Sequence, residues 1–379
     1  MMGSREWGVG NRDWGLGTGD WGRRARSVPV AIKLDILSST LLPTPHSPLP
    51  FFLIVLLLLA FSFIVPLAAG AQESTQAGNA EAAVQKPAFA LCPENARPGD
   101  PVTVGYSDAF GTQGAVPKGL QAVLVDSKGK RLVKAAFFSM PREEGEQELK
   151  AAVLAIPSTA VPGNAVIRIE SQDGIIRDLP FVIDKRDFFS ETIPLDQGNT
   201  DLRTKPDPQK TTESEQLWII LSRTGTEIYS AGPFTLPVTS TRRTSMYGDR
   251  RVYEYTGGTK DTTIHAGIDF GVPKGTEVRA CARGKVVLAR PRIVTGNSVV
   301  LEHLPGVYSL YYHMDKIAVS EGSVVEAGTL LGLSGSTGLA TGPHLHWEIR
   351  VSGEDADPDT FLPRPVLDKK EILNKMSVR

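Results

Sequence analysis

Cysteine is scarce in this sequence, with only Cys92 and Cys281 among 379 residues. Two cysteines cannot build a disulfide scaffold, and neither has a Cys or His neighbour at zinc-finger spacing. A bond between the two stays open at this point. Neither sign of charge is in excess, because the formal net charge is -1 at pH 7. That balance gives no electrostatic basis for binding nucleic acid or an anionic membrane surface.

Long apolar runs are also few, and one of them stands out. Residues 51–65 are apolar apart from Ser62, and Ala69-Gly70-Ala71 comes next, before the sequence turns polar. This pattern is typical of a signal peptide, which we assign to residues 51–71. Basic residues precede the run, which favours export of the C-terminal part of the chain. We expect a protein of the periplasm or cell envelope that meets the membrane only through residues 51–70, if that segment stays uncleaved.

Residues 1–50 lack apolar periodicity and repeat Trp-Gly at a seven-residue interval. Such a low-complexity tract cannot form a packed core, so we interpret it as disordered. Two origins stay open for it. It is either sequence upstream of the true translation start, or a cytoplasmic tail on an uncleaved anchor.

The rest of the chain divides into linkers, two β-rich parts and a tail. Short alternating strands separated by tight turns predict an immunoglobulin-like β-sandwich in the first β-rich part. Asp207-Pro208 is typical of the start of a helix, so the second linker should hold one short helix. The predicted fold class is mainly β. The predicted boundaries are a linker at 72–86, the sandwich at 87–184, a linker with helix at 185–243, a β-rich catalytic domain at 244–365 and a tail at 366–379.

Histidine is rare too, but five of the six histidines lie between residues 265 and 346. His265 and Asp269 are four residues apart, and His344 and His346 are two apart. Histidine is the commonest metal ligand and titrates close to neutral pH. No HExxH helix accompanies the cluster, and the surrounding residues favour strands. The spacing therefore indicates a metal site built on strands and loops.

Strand geometry brings some of these side chains to one face. Residues at i and i+2 on a strand point to the same side, so His344 and His346 should project together, with Glu348 next on that face. His313 shares a face with Tyr311 in the same way. Two imidazoles and one carboxylate leave a fourth tetrahedral position open, which is typical of a catalytic zinc site. His303, at the end of its strand, is expected to be structural.

The ordered motifs also carry a resemblance. His265-Ala-Gly-Ile-Asp269, Tyr312-His313 and Gly342-Pro343-His344-Leu345-His346, with their glycine turns, resemble LytM/lysostaphin-type zinc metalloendopeptidases, a family of peptidoglycan hydrolases. The resemblance covers roughly residues 244–362. It implies that His265, Asp269 and His346 bind one Zn²⁺, and that His344 and His313 act in catalysis. It also implies peptidoglycan stem peptides or cross-bridges as partners.

The expected function is therefore an exported zinc-dependent endopeptidase that cleaves peptide cross-links of bacterial peptidoglycan with a metal-activated water. The alternative is a catalytically silent wall-binding scaffold, or an activator of another wall hydrolase. The motifs leave open the bond that is cleaved, the role of the first β-rich part and the oligomeric state. They also leave open which of His344 and His313 transfers the proton.

Overall fold

Strands make up most of the regular structure in the residues that the computed structural model describes, which are 88–107, 117–146 and 148–377. The prediction of a mainly β protein is therefore confirmed. The tract at 1–50, the predicted signal segment at 51–71 and the predicted linker at 72–86 lie outside the described residues. Among those that are described, no helix is both long enough and apolar enough to cross a membrane.

The described residues between 88 and 183 hold nine strands, which form two sheets. One sheet has the order β1-β3-β7-β6 and the other the order β2-β9-β8-β4-β5. Strands β4 and β5 are joined at the Asp126-Ser127-Lys128-Gly129 turn that the sequence predicts. An immunoglobulin-like topology for this region stays a prediction. The strands are β1 (Ala88–Cys92), β2 (Asn95–Ala96), β3 (Pro101–Ser107), β4 (Gln121–Asp126), β5 (Arg131–Ala136), β6 (Phe138–Ser139), β7 (Leu149–Ala155), β8 (Gly163–Ser171) and β9 (Gly174–Ile183).

The four-stranded sheet is buried on both faces. Along β7, Ala152 and Leu154 pack with the five-stranded sheet in one hydrophobic cluster. Ala151 and Val153 point the other way and belong to a second cluster, which includes Trp347 and other side chains of the C-terminal region. Because successive side chains of a strand point to opposite faces, β7 contributes to both hydrophobic clusters. All described residues belong to one compact unit.

The second linker contains more regular structure than the sequence predicts. It holds strand β10 (Ser190–Pro194) and two helices, α1 (Gln197–Thr204) and α2 (Pro208–Leu221). The predicted start of α2 is confirmed, since Asp207 caps it by accepting a hydrogen bond from the Gln209 N–H and Pro208 is its first residue. Helix α1 is the one missed. Its N-cap, Asp196, is clear in the structure, but α1 has no apolar stripe that the sequence could have revealed.

The C-terminal region is built on a ten-stranded sheet with the central order β11-β14-β21-β18-β17-β16-β19. Strands β15, β20 and β22 pair beside this row, while β12 and β13 form a small sheet with β10. The hairpin predicted at Leu304 to Val307 joins β17 to β18. The strands are β11 (Arg243–Ser245), β12 (Arg250–Glu254), β13 (Lys260–Ile264), β14 (Gly267–Phe270), β15 (Glu277–Arg279), β16 (Gly284–Arg292), β17 (Gly296–Leu304), β18 (Val307–Ile317), β19 (Val324–Val325), β20 (Leu330–Ser334), β21 (Leu345–Val351) and β22 (Glu354–Ala356).

The chain ends in two helical segments, a 3-10 helix at Pro358–Phe361 and α3 (Lys369–Ser377). The predicted tail is thus largely helical. Helix α3 returns to the N-terminal region, where Ile372 is fully buried against Gly105 of β3. A Cβ atom on Gly105 would lie 2.3 Å from Cγ2 of Ile372, so only glycine allows this close approach. Thr103 Oγ1 also donates a 2.6 Å hydrogen bond to the Val366 carbonyl.

Truncating the buried side chain of α3 should weaken the whole fold. We expect Ile372→Ala to lower the free energy of unfolding by about 2–4 kcal/mol, because a buried isoleucine loses its contacts and leaves a cavity. Urea titration followed by circular dichroism measures this. The neighbouring Leu373 is 45% exposed and provides a matched control, with an expected change within about 0.5 kcal/mol for Leu373→Ala. Equal effects from both substitutions would contradict the packing described.

Candidate metal centre

Strand register places two of the predicted ligands opposite each other. In the antiparallel pair β14–β21, Asp269 is the direct partner of His346. Directly opposite residues on adjacent strands hold their Cβ atoms about 4.5–5.5 Å apart, so their side chains meet. On the other side of β21, Tyr312 of β18 is also paired with His346. The Tyr312 ring stacks on the imidazole with 5.4 Å between ring centroids and an interplanar angle of 5°.

His265 reaches the same place from the loop between β13 and β14. Its backbone is fixed by hydrogen bonds to Asp249 and Gly248, at 2.9 and 2.8 Å. Gly267 lets β14 lie close against β21, because a Cβ atom at this position would be 2.3 Å from the Trp347 carbonyl oxygen. The glycine in His265-Ala-Gly-Ile-Asp269 is therefore needed for the strands to approach.

One candidate ligand atom from each of the three residues lies in the same buried place. His265 Nε2 lies 3.1 Å from Asp269 Oδ1 and 3.0 Å from His346 Nδ1. The third edge of this triangle, from His346 Nδ1 to Asp269 Oδ1, is 2.8 Å. All three residues are buried, and one ligand atom from each lies within 4.8 Å of the others. The three side chains that the sequence assigns to the metal are thus brought together.

Both histidines of this triangle also contact a second residue through their other ring nitrogen. His265 Nδ1 donates to the Met246 carbonyl at 2.8 Å, which leaves Nε2 with its lone pair. His346 Nε2 lies 3.3 Å from Glu348 Oε2, which leaves Nδ1 facing the cluster. Outer partners of this kind fix the tautomer and orientation of metal-binding histidines.

Charge and burial set the protonation of the cluster. Burial lowers the pKa of His265, although Asp269 opposes this. Burial raises the pKa of Asp269, but His265 and Arg251 outweigh it and hold the pKa well below its usual range. Burial lowers the pKa of His346, yet hydrogen bonds to Asp269 and Glu348 raise it to about 9. A metal ion bound at this site would have to displace a proton from His346, as is general for histidine ligands.

His313 and His344 lie beside the triangle without being part of it. Their ring centroids are 4.7 Å apart, and His344 Nε2 is 3.9 Å from Asp269 Oδ1. His313 Nδ1 donates to the Thr337 carbonyl and His344 Nδ1 to the Gly342 carbonyl, both at 2.8 Å. Each ring therefore has Nε2 as its unprotonated nitrogen when it is neutral. Burial, followed by His344 and His346, lowers the pKa of His313 to about 3.

His313 also has an unusual backbone conformation, with φ at 60°. This left-handed conformation costs a residue with a side chain about 1–2 kcal/mol. The surroundings hold it in place, because the His313 N–H donates to the Thr295 carbonyl at 2.9 Å and the ring is tied to Thr337. Strain of this kind is found preferentially at functional sites.

Three residues of the site were given no role of their own in the sequence analysis. Arg251 Nη2 donates to Asp269 Oδ2 at 2.6 Å, Tyr312 stacks on His346, and Arg350 pairs with Glu348 from inside the core. The prediction that Tyr311 shares a strand face with His313 is wrong, because the left-handed backbone at His313 interrupts the alternation. The Tyr311 hydroxyl contacts Cys281 N and Ser309 Oγ instead.

His303 is structural, as expected. It is fully buried, and its ring contacts the Arg283 carbonyl and Ser309 Oγ. Cys281 is buried beside it, and both cysteines are free, which settles the question of a bond between them.

Residues 263–358 match the family model described as Peptidase family M23. This part of the chain is an M23 peptidase domain. The matched span contains His265, Asp269, His313, His344 and His346. The M23 domain ends close to the boundary predicted for the catalytic region, while the segment from 244 to 262 lies before the match.

Proteins similar to the M23 domain are named as peptidases, and some of the names include peptidoglycan. The DD-carboxypeptidase/endopeptidase Mpg of Neisseria meningitidis is 42% identical over 27% of this chain and 24% of its own length. The peptidoglycan DD-endopeptidase ShyA of Vibrio cholerae is 42% identical over 30% of this chain and 25% of its own length. The alignments thus span about a quarter of the curated relatives. A solved structure from Pseudomonas aeruginosa named for peptidase M23 is 24% identical, with 72% of this chain and 95% of that chain covered and a TM-score of 0.48.

The strain at His313 predicts a difference between two substitutions. Glycine adopts the left-handed conformation without cost but loses more backbone entropy on folding than alanine does. We expect His313→Gly to have a free energy of unfolding about 0.5–1 kcal/mol higher than His313→Ala, because relief of strain exceeds that entropy. Urea titration of both variants measures the difference. A His313→Ala protein as stable as, or more stable than, His313→Gly would show that the position is unstrained.

Proposed function

We propose that this chain is an exported zinc-dependent endopeptidase that hydrolyses peptide cross-links of bacterial peptidoglycan. The observation that carries the proposal is the triangle of His265 Nε2, Asp269 Oδ1 and His346 Nδ1, with edges of 2.8–3.1 Å. The names of the relatives favour a DD bond as the one cleaved. An immunoglobulin-like module before the M23 domain and a signal segment at residues 51–71 complete the proposal.

The residues fit a zinc ion by their chemistry. Two imidazole nitrogens and one carboxylate oxygen are a ligand set that catalytic zinc sites use, with the fourth position kept for water or substrate. The second nitrogen of each imidazole is occupied by an acceptor, Met246 O in one case and Glu348 in the other. A zinc ion held there would supply polarisation of the scissile carbonyl and acidification of the attacking water.

The chain's own part in catalysis is the handling of protons beside the ligands. His344 and His313 each present an Nε2 lone pair, because their Nδ1 atoms donate to backbone carbonyls. A neutral imidazole can accept a proton from the attacking water and pass it to the leaving amine. His344 lies within 3.9 Å of a ligand oxygen, whereas His313 is held against the His344 ring. The two histidines therefore form the proposed acid–base pair.

Purified peptidoglycan sacculi provide the direct test. The mature chain, loaded with one equivalent of zinc, should release soluble muropeptides, and mass spectrometry of the products identifies the bond that is cut. We expect chelation of the metal to stop the release and added zinc to restore it. A chain that binds zinc but releases no fragments would favour the alternative of a wall-binding scaffold or activator.

Alanine substitution of a ligand histidine and of an acid–base histidine should differ in the effect on zinc content. His346→Ala should lose both stoichiometric zinc and activity, because only two ligands remain. His344→Ala and His313→Ala should keep zinc but lose activity by about 10²–10⁴-fold, because proton transfer contributes a factor of this size. Elemental analysis and muropeptide release measure the two quantities. Loss of zinc from His344→Ala, with the fold intact by circular dichroism, would contradict this division of roles.

A further inference from the structure

Asp269 uses its two carboxylate oxygens differently. Oδ1 faces the imidazoles of His265 and His346, at 3.1 and 2.8 Å. Oδ2 points away from them and accepts a 2.6 Å hydrogen bond from Arg251 Nη2. Charge-assisted hydrogen bonds of this length are among the strong ones in proteins. The pair is also well shielded, with 13% of the Arg251 side chain and 10% of the Asp269 side chain exposed.

Arg251 and the residue that holds it both lie before the M23 match, which begins at residue 263. Glu191, in strand β10 of the linker, accepts a 3.0 Å hydrogen bond from Arg251 Nε. The parallel pairing of β10 with β12 places Glu191 directly opposite Arg251. Glu191 Oε1 also lies 3.0 Å from Ser245 Oγ, and Ser245 is the strand partner of Asp269 on β11. The linker is thus connected to the ligand through one side chain and through the neighbouring strand.

We propose that Arg251 is a positioning residue that restricts Asp269 to binding the metal through one oxygen, and that Glu191 of the linker holds Arg251 in place for this task. The inference rests on the proposed zinc-dependent function. One oxygen tied to a guanidinium leaves one for the metal, which keeps a coordination position free for water and substrate. Without Arg251, Oδ2 would be a buried acceptor lacking its partner, and turning toward the metal would satisfy it.

Glu191 matters because Arg251 is almost enclosed. A buried guanidinium is stable only when its donors are matched by acceptors. Asp269 takes one end of the fork and Glu191 takes Nε, so the two carboxylates fix the plane of the group between them. Glu191 is 38% exposed, so its contribution should be smaller than that of Arg251.

The test uses the full chain with substitutions at both positions. Arg251→Met removes the charge but keeps much of the side-chain length, Arg251→Lys keeps the charge without the fork, and Glu191→Gln keeps an acceptor without the charge. Arg168→Met is the matched control, since Arg168 also donates through Nε and Nη2, in its case to the single carboxylate of Asp178 on the exposed face of the β8–β9 hairpin. Zinc affinity is measured by competition with a chelator, and kcat and KM by muropeptide release.

We expect Arg251→Met to weaken zinc binding and lower kcat by about 10–100-fold each, with KM nearly unchanged, because outer partners of metal ligands have effects of this size. Arg251→Lys should recover part of the loss. Glu191→Gln should lower zinc affinity and kcat by about two- to fivefold each, as expected for a partly exposed ion pair. If Glu191 acts through Arg251, the double variant should be no worse than Arg251→Met alone. Arg168→Met should match the unsubstituted protein.

Cobalt(II) in place of zinc gives a readout that a general loss of stability would not change. The visible absorption of the cobalt-loaded protein reports the number of ligand atoms, and Arg251→Met should shift it toward a higher coordination number as Oδ2 becomes a ligand. Unchanged zinc affinity, kcat and cobalt spectrum in Arg251→Met would overturn the proposal while leaving the proposed function intact. If Arg251→Met does not fold, the same three measurements on Arg251→Lys and Glu191→Gln decide.

An unsubstituted chain that neither binds zinc nor cleaves sacculi would instead mean failure of the proposed function, and of this inference with it. The two failures are therefore distinguished by the behaviour of the unsubstituted protein. Additive losses in the double variant would contradict the specific route from Glu191 through Arg251.

Discussion

The pairing of Asp269 with His346 across two antiparallel strands is the constraint on which the site depends. A shift of one residue between β14 and β21 would turn one of the two side chains to the opposite face of the sheet. Gly267 and the fully buried Trp347 hold the register, since the first permits close approach and the second fills the opposite face. His265 is added from a loop whose backbone bonds to Asp249 and Gly248. The geometry of the proposed metal site is therefore set mainly by the register of the sheet, and the loop that carries His265 completes it.

Around this pair, the fold buries an unusual amount of charge. Glu348 contacts His346 with one oxygen and Arg350 with the other, and Arg350 also pairs with the fully buried Asp355. Burial raises the pKa of Asp355 to about 7 despite the nearby guanidinium. Buried ions are costly unless they are paired, and here the carboxylates of Glu348 and Asp355 share the guanidinium of Arg350. Strands β21 and β22 therefore carry a network of buried charged side chains, and this network ends at His346, a proposed metal ligand.

Much of the fold could be predicted from the sequence, because it depends on local periodicity. The choice of His265, Asp269 and His346 as metal ligands came instead from the family resemblance of the ordered motifs. Alternation along Leu345–Val351 placed His346 and Glu348 on one face, and the turns at Asp126 to Gly129 and at Leu304 to Val307 were located by their residues. The roles of Arg251 and Glu191 could not be predicted in this way. They depend on the parallel pairing of β10 with β12, which joins segments about sixty residues apart, and no short-range pattern encodes such a contact. Helix α1 was missed because it has no apolar stripe, and α3 because a terminal helix was not distinguished from a tail.

The four-stranded sheet that serves two cores has a practical consequence for anyone who wishes to isolate the peptidase. Cutting the chain at the edge of the family match would strip Ala151, Val153 and their neighbours from the C-terminal sheet. The surface uncovered would be apolar and continuous, which is the kind of patch that drives aggregation. An excised fragment would also lack Arg251 and Glu191, because both precede residue 263. A minimal soluble M23 domain would therefore have to be redesigned along the face that the cut exposes.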